Sequence, residues 1–123
     1  MATPQRSAQM TATEKLDGAA KALARAVQEL PDPSDTTDLL ALLSSAQSTM
    51  NEVYGRLAEW HLEFIRSRTG NEHEPEGPAW IRAEMALQEA AQYARDAAAA
   101  LDRARVANEV GLWADELKFD EGV

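Results

Sequence analysis

Two histidines and no cysteine stand in this chain of 123 residues, which leaves few side chains able to carry out metal or nucleophilic chemistry. His61 falls in a helical stretch, where a metal pair needs a second ligand three or four residues away. Leu57, Ala58, Phe64 and Ile65 occupy those positions, and so His61 reads as a packed or interfacial histidine. His73 lies between Glu72 and Glu74 in a loop. That trio could hold a divalent ion loosely, but loops of this composition are ordinarily solvated.

Carboxylates offer no better constellation. The Glu-x-x-His spacing of di-iron bundles is absent. The paired acidic motifs with which all-α nucleotide pyrophosphatases hold magnesium reduce to Glu14-Lys-Leu-Asp17, which reads as helix capping. No phosphate-binding glycine loop, nucleophile elbow or zincin motif occurs. Arg82, Arg95, Arg103 and Arg105 alternate with Glu84, Glu89, Asp96 and Asp102 as on an ordinary charged helix face. The expectation is a protein that is not an enzyme, with no cofactor, metal or catalytic residue.

Charge narrows the partners. The formal net charge is −9, and the acidic excess is concentrated in residues 71–123. Such a surface repels phosphate backbones, so direct nucleic-acid binding is not expected. No stretch of about eighteen apolar residues is present to span a membrane, and residues 1–10 lack the apolar run of a secretory signal. A soluble, cytoplasmic protein is the default expectation, with absent cysteine fitting a reducing compartment.

The elements follow from alanine-rich composition and helical periodicity. No segment shows strand-like alternation. Residues 1–10 read as a disordered leader, 11–119 as one helical domain and 120–123 as a tail. Thr11-Ala-Thr-Glu14 resembles a capping box opening a helix over about 12–30, with Leu16, Ala20, Leu23, Val27 and Leu30 on one stripe. Pro31-Asp-Pro-Ser-Asp35 makes a stiff turn, with Ser34 or Asp35 as the next cap. A second helix spans about 35–69 and stops at Gly70-Asn71. A third spans about 78–110, with a kink or a short helix 112–119 beyond Gly111.

The second helix carries the strongest pattern. Leu39, Leu43, Ala46, Met50, Val53, Leu57, Trp60 and Phe64 alternate steps of four and three, the 3.5-residue repeat of helices packed lengthwise. The third helix offers Trp80, Leu87, Ala94 and Leu101 on one register and Ala83, Ala90, Ala97 and Ala104 on its companion. Folded back about His73, facing residue numbers total roughly 146 from the equal rise of two antiparallel helices. Leu57 is then expected opposite Ala90, Met50 opposite Ala97 and Leu43 opposite Ala104. The expected fold is an all-α antiparallel three-helix bundle whose long helix 2/helix 3 hairpin extends beyond a shorter helix 1.

On this reading helix 1 covers helix 2 only as far as Val53. The hairpin end is then short of partners, and Trp60, His61, Leu62, Phe64, Ile65, Trp80, Ile81 and Met85 form the expected contact surface. A homodimer joined there is the leading expectation, with another protein as the second. Val110, Trp113 and Leu117 form a further candidate stripe, in which Trp113 either closes over the Pro31–Pro33 turn or docks on a partner. The functional expectation is a non-catalytic interaction or regulatory protein. The alternative is an acidic inhibitor, antitoxin or nucleic-acid mimic, acting through the clusters at 72–76 and 115–121 on a basic protein. Small helical-hairpin secretion substrates share the size and alanine content, but their Trp-x-Gly turn is missing, because Trp80 follows the loop.

Overall fold

The computed structural model describes residues 7–30, 32–67 and 77–121. Within them the chain is all-α, with three α-helices and no strand. α1 spans Ala8–Ala26 and ends in a 3-10 turn, Val27–Glu29. α2 spans Pro33–Ser67 and α3 spans Gly77–Glu121. At about 1.5 Å per residue they measure roughly 28, 52 and 67 Å.

Local chemistry accounts for the ends. Ser7 caps α1, its Oγ accepting from the Met10 amide at 3.1 Å, as a short hydroxyl side chain does for an orphan N–H. The helix therefore starts a turn before the Thr11 capping box expected from sequence, and positions 8–10 of the expected leader are helical. Asp32, rather than Ser34 or Asp35, caps α2, accepting from the Ser34 amide at 2.9 Å. Pro33 then occupies the first helical position, where its missing N–H costs nothing. The predicted stop at Gly70-Asn71, the loop holding His73 and the acidic cluster 72–76 lie outside the described residues, as do residues 1–6.

α3 runs without interruption through Gly111 to Glu121. The separate short helix expected over 112–119 does not form. A glycine weakens a helix by about 1 kcal/mol relative to alanine, too little to interrupt a ladder of this length.

α2 and α3 form the expected long antiparallel hairpin. Ser44 Oγ donates to the Ala98 carbonyl at 2.9 Å and Asn51 Nδ2 to the Ala91 carbonyl at 2.6 Å, each pair totalling 142. Phe64 and Trp80, which total 144, meet edge to face with centroids 4.9 Å apart. Asn108 Nδ2 closes the far end, donating to the Pro33 carbonyl at 3.0 Å and to Thr37 Oγ1 at 2.7 Å. The nearly constant totals establish the antiparallel direction, within about one turn of the register expected.

Which stripe lies between the helices also differs. On α2 the enclosed repeat is Thr37, Leu40, Ser44, Gln47, Asn51, Tyr54, Ala58, His61 and Ile65. Each position is one residue, about 100° of rotation, from the Leu39–Phe64 stripe. On α3 the Trp80–Leu101 register does face inward, flanked by Glu84, Ala91 and Ala98 rather than by the Ala83–Ala104 register. The most enclosed residues are Ala58, Ala94, Ala98 and Glu84. Small side chains let the two backbones approach closely, and only at such range can the short Ser44 and Asn51 side chains reach carbonyls across the gap. Leu57, expected to be core, is 44% exposed.

Among the described residues α1 packs against neither α2 nor α3, and of the described elements it meets the 3-10 turn that extends it. The helix expected to complete a three-helix bundle stands clear of the hairpin.

Candidate functional site

Because the seam takes a different stripe of α2, the Leu39–Phe64 repeat is left as the flank of the hairpin. Alongside it on α3 run positions 83, 86, 90, 93, 97, 100, 104, 107 and 111, which hold alanine everywhere except Tyr93 and Gly111. No position of this flank is charged. Leu39, Leu43, Met50 and Phe64 are half-buried at its inner edge, whereas Leu57, Trp60 (57% exposed) and Tyr93 (68%) face outward. By helix geometry its rim is polar, with Arg56 and Glu63 on α2 and Glu89, Asp96 and Arg103 on α3.

The opposite flank has another chemistry. Gly55, Glu59 and Leu62 of α2 and Gln88, Gln92 and Arg95 of α3 line a shallow groove. Gln88 Nε2 donates to the buried Glu84 carboxylate, and Gln92 Nε2 donates to Asp96 Oδ1 at 2.9 Å. Further along α3, Arg105 bridges Asp102 at 2.9 Å and Glu109 at 3.0 Å. The hydrogen bond that the guanidinium donates to Asp102, aided by the charges of Asp102 and Glu109, raises its pKa above the ordinary value.

The eight residues expected to form one contact surface are divided by the seam. Trp60 stacks on Phe64 with centroids 5.4 Å apart and planes 8° from parallel, and Phe64 in turn meets Trp80. Trp60 and Phe64 belong to the uncharged flank, and Trp80 meets them from the inward register of α3. His61 and Ile65 point into the seam, while Leu62 lines the polar groove and Ile81 and Met85 are exposed beside it. One helical turn carries side chains to all these directions, so the eight do not share one face, although the aromatic members Trp60, Phe64 and Trp80 stay in contact.

His61 sits edge-on to Trp60 at 5.1 Å, and its Nδ1 is enclosed with no hydrogen-bond partner among the described residues. Among the described residues no three His, Cys, Asp or Glu side chains converge to hold a metal ion.

Val110, Trp113 and Leu117 lie where α3 continues past Asn108 and the start of α2. All three are exposed, Trp113 by 63%. Asn108, not Trp113, closes over the Pro33 turn. Asn108 is not among the candidate residues that the sequence singles out. The available signal was the seven-residue spacing of Thr37, Ser44 and Asn51, short hydrogen-bonding side chains of the kind that bridge closely packed helices.

No helix among the described residues is long and apolar enough to cross a membrane. In comparisons with known proteins, no family model matches the chain, no curated protein matches it in sequence and no solved structure matches it.

Proposed function

We propose that this chain is a non-catalytic helical interaction module that self-associates, as a homodimer, through the uncharged flank of its hairpin. The observation that carries this reading is the flank itself: an uncharged strip from Leu39 to Phe64 beside an alanine strip, bounded by charged residues. About 25 residues of helix give it a length of roughly 38 Å. Two helices 8–10 Å apart give a width of roughly 15–20 Å. The product is on the order of 600–800 Å², larger than most patches on monomers and near the ~800 Å² that each partner contributes to a stable interface. The expected site at the hairpin end is thereby extended along the whole hairpin on one side and withdrawn from Leu62, Ile81 and Met85 on the other.

Sedimentation equilibrium of the full chain tests this. Trp60→Glu is expected to convert the dimer to monomer, and Met85→Glu, on the far side, to leave it intact. Apolar association persists at high ionic strength, whereas contact through acidic patches weakens steeply. A monomeric wild-type chain, or a dimer indifferent to Trp60→Glu, would remove the proposal.

A further inference from the structure

We infer that α1 is the third helix of a neighbouring copy: in the self-associated protein each α1 lies along the uncharged flank of the partner's hairpin. This rests on the proposed self-association through that flank and specifies what covers it.

α1 is well formed yet touches no part of its own hairpin. A lone helix of 19 residues is marginal in water, because nucleation is costly and most helical stability comes from packing an apolar face. α1 has such a face. Leu16, Ala20 and Leu23 share one stripe that Val27 continues into the 3-10 turn, with Leu16 49% and Val27 37% exposed. Two apolar surfaces in one chain, one about 17 Å long and the other about 38 Å, therefore lack cover. The first fits along the second and fills a little under half of it. Alanines on the α3 side of the flank leave room for the leucines of α1, in the large-against-small manner of interdigitating helices.

The connection favours exchange between copies. The Val27 amide finishes α1 by donating to the Arg25 and Leu23 carbonyls, and Asp32 is engaged by the Ser34 and Asp35 amides. With these caps in place α1 stands off its own hairpin. Docking on a second copy retains them, which is how exchange of an identical element makes a dimer at low cost. Each unit of the assembly is then a three-helix bundle with its third helix supplied in trans.

The chain has no cysteine, so single thiols can be placed cleanly. Ala20→Cys lies on the α1 stripe and Ala46→Cys on the flank. A short bis-maleimide added to an equimolar mixture of the two variants is expected to link unlike chains, with few links within a chain carrying both substitutions. In parallel, Leu23→Glu in the full chain is expected to weaken the dimer by about tenfold or more, as loss of a buried apolar anchor does. Linkage within a doubly substituted chain would overturn the exchange in favour of docking on its own hairpin. A dimer linked only through Ala46→Cys pairs, and indifferent to Leu23→Glu, would overturn it while sparing self-association through the flank. A chain monomeric throughout would remove both.

Discussion

At the scale of single residues, burial in this hairpin belongs to small side chains. Ala98 is 8% exposed between the helices, whereas Leu57 is 44% exposed on the flank. Hydrophobicity alone ranks these two in the opposite order. Ala98→Asp is expected to unfold the hairpin, because an unpaired carboxylate would be held between two closely packed helices. Leu57→Asp is expected to keep the helix content and to lower monomer stability by about 1 kcal/mol at most, in the range of partly exposed positions. Circular dichroism through a urea titration separates the two, and a native-like transition for Ala98→Asp would show that the seam is misplaced. The polar members of the seam each contribute about 0.5–1.5 kcal/mol net where a hydrogen bond is made. The enclosed Nδ1 of His61 works against that gain.

At the scale of elements, the helices differ in what supports them. α2 and α3 support each other along the seam. α1 has its Ser7 cap and the Lys21–Asp17 bridge at 2.8 Å, an exposed pair worth little. Beyond Asn108, α3 has no partner helix among the described residues and relies on its own ladder. Gly111 is the weak point of that overhang, and a Cβ built there meets nothing within 4 Å. Gly111→Ala is therefore expected to stabilise α3 by about 0.5–1 kcal/mol. The check is slower amide exchange from Asn108 to Leu117; unchanged exchange there would mean that the overhang is not limited by its glycine.

At the scale of the whole molecule, the chain exposes 9849 Å² of surface, where a compact monomer of this length exposes roughly 6500 Å². Among the described residues no larger side chain is fully buried. A long two-helix hairpin with a detached third helix has too little core for a typical single-domain stability, and association is the physical remedy. Thermal stability is accordingly expected to rise with protein concentration, by mass action on the proposed dimer. A melting temperature constant over a hundredfold range of concentration would count against dimer-coupled folding.

Much of this was legible from residue types and spacing. The all-α class, the number of helices, the long hairpin and its antiparallel direction follow from alanine content, capping residues and the 3.5-residue repeats, all properties of neighbouring residues along one chain. Which side of α2 would meet α3 was not legible. The Leu39–Phe64 stripe and the Thr37–Ile65 stripe lie about 100° apart on one helix, and both keep the same repeat. Hydrophobicity favours the first. The second prevails once α3 presents Ala91, Ala94 and Ala98 at close range, because the backbones then come near enough for Ser44 and Asn51 to reach carbonyls across the gap. That distance belongs to the pair of helices and to neither alone. For the same reason only the tertiary structure could show that the strongest apolar repeat in the chain is an outward flank, and that α1 leaves it uncovered.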